Sequence, residues 1–163
     1  HMARAMTPSF LIDFEQLLQQ KELPFEAQLS QICEMLQNAV DYFDWVGFYF
    51  ADFENKKLHL KAYSGAPTEH TEIPFGKGIC GQVAVSNQNF LVPDVHAQSN
   101  YIACSLDVQS EIVIPIFADG KNIGQIDIDS HTLNAFDKAD EKFLEQLCSL
   151  IGTAYASNYK VNE

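Results

Sequence analysis

The sequence predicts a single α+β domain: an antiparallel sheet with N- and C-terminal helices on one face and a ligand pocket under a cover segment on the other. Amphipathic helical stripes open and close the chain. Strand-like runs come in two pairs joined by short turns, and hairpins imply antiparallel pairing. A glycine-punctuated excursion over residues 65–108 separates the two pairs and is long enough to cover a sheet face. At 163 residues the chain has the size of one domain, and its 47% hydrophobic and 12% aromatic content suffices for a core. Residues 1–8, with His1-Met2 read as a cloning scar, form an N-terminal tail, and residues 9–163 form the domain.

Residues 9–20 are a short helix candidate. A stronger one covers 25–43, where Leu29, Ile32, Cys33, Leu36, Ala39, Val40 and Phe43 recur at helical spacing. The aromatic run 45–52 suits a strand, Glu54-Asn55-Lys56 a turn, and 57–64 a second strand. A short strand is expected around Ile73 and a helix over 79–87, led by Gly76 and Gly78. Phe90 to Val92 is a short strand, and residues 93–108 are irregular and therefore suspected of function. Residues 111–118 and 122–129 form a hairpin around Asp119-Gly120. Asp137 is a good N-cap for a last helix reaching Ser157, with its stripe at Phe143, Leu144, Leu147, Cys148, Ile151, Ala154 and Tyr155.

The net charge of −12 opposes nucleic acid and anionic membrane surfaces, since the long-range field repels both. No run approaches the roughly 18 apolar residues of a membrane span. The N-terminus lacks a charged-then-apolar secretory pattern, so a cytoplasmic location with reduced or redox-active cysteines is expected. The histidines and cysteines show no zinc-finger spacing, and no metal site is expected.

The four cysteines divide into two pairs. Cys33 and Cys148 fall on apolar helix stripes, where cysteine acts as a small hydrophobe. Cys80, in FGKGICGQVA, and Cys104, in SNYIACSLD, lie in glycine-rich and polar surroundings and form a candidate reactive pair. A helix start at Cys80 would favour its thiolate; the competing reading is a residue that only fills space there. Glu111, Asp127 and Asp129 are carboxylates inside apolar strands. Alternation sets Asp127 and Asp129 on one face and Ile126 and Ile128 on the other. It also sets Trp45 and Tyr49 on one face and Phe48 on the other. A two-residue loop at Asp119-Gly120 with a regular ladder would turn Glu111 away from Asp127. A shared site therefore requires a three-residue loop or a bulge, for instance at Pro115.

Taken with their spacing, WVGFYF (45–50), FGKGICGQVA (75–84), VPDVHAQSNYIACS (92–105), SEIVIPI (110–116) and IGQIDIDSHTLNAFDKADEKFLEQL (123–147) resemble the GAF-domain free methionine-(R)-sulfoxide reductases. The resemblance implies that Cys104 is the nucleophile and that Cys80 is a second redox cysteine. It implies that Glu111, Asp127 and Asp129 bind substrate and that Trp45 and Tyr49 wall its methyl-sulfoxide end. It implies a sulfenic acid, an intramolecular disulfide recycled by thioredoxin or another thiol, no cofactor, and a possible homodimer. The sequence departs from the pattern at His70, where typical members carry a further resolving cysteine. It departs again at Tyr101 and Ser105, where many members have His and Asp. Cys80 is then the local candidate for the resolving thiol. The rival reading is a sensory GAF domain that binds a small molecule without catalysis. Three carboxylates facing a pocket would repel a cyclic nucleotide's phosphate, which disfavours that rival. His96 is a candidate base for Cys104, with a satisfied loop histidine as the competing reading.

Overall fold

The computed structural model describes residues 6–99 and 107–159. Two helices open the chain, α1 (Pro8–Leu18) and α2 (Phe25–Ala39). Strands β1 (Trp45–Asp52), β2 (Lys57–Ser64) and β3 (Glu72–Pro74) follow, then helix α3 (Gly78–Ser86) and strand β4 (Phe90–Val92). A 3-10 turn spans Val95–Ala97. Strands β5 (Ser110–Ala118) and β6 (Lys121–Ser130) lead to helix α4 (Lys138–Tyr159). The expected α+β order is present. Helix α2 stops at Ala39 rather than Phe43, because Val40 is already extended and Phe43 turns back to bond the Val40 carbonyl.

The strands form one six-stranded antiparallel sheet in the order β3-β2-β1-β6-β5-β4. β3 and β4 sit at opposite edges, so the chain joining them must cross a sheet face. It does so as α3, which packs on β2, β3, β5 and β6. Two cores result. On one face Phe14, Leu29, Ile32, Leu36 and Leu144 of the terminal helices meet Phe48, Ile112, Ile114, Ile126 and Ile128. On the other, Ile79, Cys80 and Val83 of α3 meet Trp45, Tyr49, Val92, Val108 and Val113.

The β5–β6 hairpin closes with two residues, Asp119 and Gly120, both at positive φ, as a tight turn matching strand twist requires. The required irregularity lies nearer this turn than Pro115. Phe117 pairs with Asn122 and Ile116 with Gly124, which leaves Ile123 as an extra residue on β6. The bulge reverses the alternation. Ile123 faces the helical core with Ile126 and Ile128, while Glu111 comes directly opposite Asp129.

α4 starts with a reciprocal cap. The Asp140 N–H donates to Asp137 Oδ1 at 2.9 Å, and the Asp137 N–H donates to Asp140 Oδ2 at 3.0 Å. The Tyr42 hydroxyl donates to Asp140 Oδ1 at 2.7 Å and ties this helix end to the segment before β1. Replacing Asp137 by Ala should cost about 1 kcal/mol of unfolding free energy in urea titrations. A loss below a few tenths of a kcal/mol would mean the cap contributes little to the folded state.

Candidate active site

The face under α3 carries the site, and three cross-strand rows build it. Trp45 of β1 pairs with Asp129 of β6, which pairs with Glu111 of β5, which pairs with Val92 of β4. One row on, Gly47 pairs with Asp127 and Asp127 with Val113. In the third row Tyr49 pairs with Gln125. Five of the seven expected site residues, Trp45, Tyr49, Glu111, Asp127 and Asp129, thus share one face of three adjacent strands. The sixth, Cys80, comes down on them from α3. The seventh, Cys104, lies outside the described residues, as do Tyr101 and Ser105.

Gly47 is a glycine for a steric reason: a Cβ there would overlap the Trp45 ring, which lies across it. The indole Nε1–H donates to the Ala66 carbonyl at 3.0 Å, and the Tyr49 hydroxyl donates to the His70 carbonyl at 2.9 Å. The two aromatic side chains therefore pin residues 66–70 of the cover to the sheet. Gly81 plays the matching role for Cys80. A methyl at Gly81 would meet the Pro74 carbonyl oxygen at 2.5 Å, so only glycine lets α3 sit against β3.

Cys80 is buried in the second core, among apolar side chains as well as the three carboxyls. Its Sγ is 4.0 Å from Glu111 Oε2, and its carbonyl accepts from Gln125 Nε2 at 3.1 Å. Burial pushes the thiol well above its ordinary value, and the charges of Asp127, Glu111 and Asp129 push it further. The helix start does not make Cys80 a thiolate, because desolvation and three carboxylates outweigh a partial charge at a helix end.

Asp127 and Asp129 are each 1% exposed on β6, a central strand of the sheet. Burial raises the Asp127 carboxyl; hydrogen bonds from Glu111 and Cys80 offset part of the rise. Burial also raises Asp129 well above the usual range, with the Asp127 charge adding to it. A hydrogen bond from Glu111 would offset part of that rise, but neither Asp129 oxygen is within hydrogen-bond geometry of a partner among the described residues. Asp127 Oδ1, both Asp129 oxygens and Gln125 Oε1 lack a hydrogen-bond partner among the described residues. Neither aspartate pairs with a lysine or arginine among those residues. The floor of the site thus offers acceptors and awaits donors.

Sequence reasoning missed Gln125. The signal was present in the polar alternation Gln125, Asp127, Asp129 within an isoleucine-rich strand. His96 is exposed on the 3-10 turn, where its N–H donates to Asp94 Oδ1 at 3.0 Å. Cys33 and Cys148 are buried in the helical core as expected, and burial raises both thiols. Cys80, Glu111 and Asp127 present ligand atoms all within 4.8 Å of one another, a spacing compatible with a cation.

Residues 22–156 match the GAF domain family. "Protein YtsP" of Bacillus subtilis is 39% identical, covering 88% of this chain and 91% of its own length. Free methionine-R-sulfoxide reductase of Saccharomyces cerevisiae is 35% identical, covering 93% of this chain and 92% of its own. A structure of free methionine-R-sulfoxide reductase from Neisseria meningitidis in complex with its substrate superimposes with a TM-score of 0.86. It is 34% identical and covers 93% of this chain and 89% of its own. The chain is therefore a GAF domain, and it belongs to the free methionine-R-sulfoxide reductase family of oxidoreductases.

A carboxyl raised in the folded state keeps its proton after the unfolded chain has released its own. Stability is then greatest below the unfolded value near 4 and falls as pH rises toward the folded value. Asp129→Asn should remove much of that fall. It should raise the ligand-free protein's stability at pH 7 by about 1–3 kcal/mol, measured by urea unfolding between pH 4 and 8. An unchanged pH slope in the variant would mean Asp129 is not the group held protonated.

Proposed function

We propose that the protein reduces free L-methionine-(R)-sulfoxide to L-methionine with its own thiols. The observation that carries this reading is the carboxyl floor: Glu111, Asp127 and Asp129 are buried side by side, and Asp127 Oδ1 and both Asp129 oxygens lack a hydrogen-bond partner among the described residues. An amino-acid ammonium supplies three donors and one positive charge, which suits that floor. Trp45 and Tyr49, on the same face, wall the thioether end. A sensory role for a phosphate-bearing ligand would bring negative charge onto three carboxylates. No helix among the described residues is long and apolar enough to cross a membrane.

In the proposed reaction the Cys104 thiol attacks the sulfoxide sulfur. The oxygen passes from substrate sulfur to Cys104 sulfur, so methionine leaves and a sulfenic acid remains. A carboxyl of the Asp127–Asp129 pair, raised by burial and so inclined to keep its proton, donates a hydrogen bond to the sulfoxide oxygen. The described residues that flank the Cys104 segment on either side meet near this floor. The Val95 N–H donates to the Gln109 carbonyl at 2.9 Å, and Gln109 is two residues before Glu111. Cys80 then attacks the sulfenic acid, giving a Cys80–Cys104 disulfide and water. Its thiol proton passes by way of the adjacent Asp127 or Glu111 carboxylate to the departing hydroxide, which leaves as water; a thiol raised so far requires such a base. A thioredoxin-type dithiol restores both cysteines by exchange.

Masking the ammonium tests the charge argument. N-acetylmethionine sulfoxide should lose at least ~100-fold in kcat/KM, as expected when a buried charge loses a partner worth about 3 kcal/mol. Comparable turnover of the two compounds would refute it. The thiol assignment is tested by rapid quench. Cys104→Ser should form no methionine even in a single turnover. Cys80→Ser should complete one turnover at the wild-type yield and then fall below about a tenth of the thioredoxin-driven rate. Normal cycling by Cys80→Ser would show that Cys104 works alone.

A further inference from the structure

We propose that the cluster formed by Cys80, Glu111 and Asp127 is also a binding site for a divalent cation of borderline softness, of the zinc type. Spacing rules do not find it, because the ligands come from α3, β5 and β6 rather than from one short motif. Cys80 Sγ and one oxygen each of Glu111 and Asp127 lie within 4.8 Å of one another, and Sγ to Glu111 Oε2 is 4.0 Å. A tetrahedral zinc, with bonds of about 2.3 Å to sulfur and about 2.0 Å to oxygen, draws its ligand atoms to within roughly 3–4 Å of each other. Small side-chain rotations supply that contraction.

Independent of this spacing, the neighbouring Asp129 points to a cationic ligand. It is 1% exposed, lies directly across from Glu111, and has neither carboxylate oxygen satisfied among the described residues. Asp127 Oδ1 is orphaned in the same way. A buried acceptor without a donor costs free energy that a cation relieves. The donor set selects the metal: one thiolate with carboxylates favours zinc over magnesium or calcium, which avoid sulfur. Gln125 holds the Cys80 backbone through its 3.1 Å hydrogen bond to the carbonyl, the kind of outer contact that keeps a ligand in place. Binding converts the Cys80 S–H to a metal thiolate and releases the proton to solvent.

A consequence rests on the proposed reductase reading. The carboxylates that would hold the substrate ammonium would be occupied by the cation, and Cys80 would be sequestered from the sulfenic acid. Zinc would then inhibit competitively with methionine sulfoxide and would also stop recycling.

The test is a titration of the reduced full-length protein with Co2+, whose thiolate complexes absorb in the near ultraviolet while zinc is silent. Wild type should develop a thiolate-to-cobalt band at one equivalent, and one equivalent of Zn2+ should abolish it. Cys104→Ser should keep the band and Cys80→Ser should lose it. Asp127→Asn should weaken cobalt affinity at least tenfold, which keeps the test decisive should Cys80→Ser fold poorly. No band in wild type, a band surviving in Cys80→Ser, or its loss in Cys104→Ser would each overturn the assignment. In Cys104→Ser, which cannot turn the sulfoxide over and so keeps the Cys80 thiol, methionine sulfoxide should raise the apparent cobalt Kd. A Cys80-dependent band indifferent to methionine sulfoxide would leave the cation site standing and refute the proposed placement of the ammonium. A protein that binds cobalt as described but reduces no sulfoxide would refute only the reductase reading.

Discussion

Three carboxylates held side by side away from water oppose folding, and much of the molecule is arranged around keeping them there. Desolvation alone disfavours their ionised forms, and each ionisation makes the next harder. Asp127 and Asp129, on the central strand β6, are each only 1% exposed. The favourable free energy that offsets this comes from elsewhere, chiefly the larger helical core on the opposite face. There Phe14, Leu29, Ile32, Ile112, Ile126 and Leu144 are fully buried. The sheet separates the two environments: one face supplies stability and the other holds functional groups at its expense.

A single extra residue connects the two faces. Without Ile123 as a bulge, the tight Asp119-Gly120 turn would align Glu111 with Ile128 and turn it into the apolar core. The bulge therefore does two things at once. It keeps Ile123 in the helical core and sends Glu111 to the carboxylate face. Changes near the turn act on the site through register, although the turn lies at the far end of the hairpin.

Most of the fold was legible because the periodicities are strong. β1, β2 and β4 begin and end where the aromatic, β-branched and turn residues place them. The need for an irregularity between β5 and β6 was also legible, since Glu111 and Asp127 have the wrong parity for a plain hairpin. Its position was not. Moving it from Pro115 to Ile123 changes no alternation that the sequence displays beyond one isoleucine. The burial of Cys80 was hidden for a different reason. The glycines around it mark a helix start, but nothing in the pattern shows that Gly81 lets α3 approach Pro74. Gln125 was overlooked because an amide within a strand carries no charge to draw attention.

Trp45 is the one tryptophan in the chain. It lies across Gly47, opposite Asp129, with its Nε1–H fixed on the cover segment. The intrinsic indole emission of this protein is therefore not an average over many environments. It originates at the wall of the carboxylate floor, where the nearest ionisable partner across the strand is a raised aspartate. A change in the charge or contents of that floor would act directly on this emission, through the same side chain that holds the cover in place.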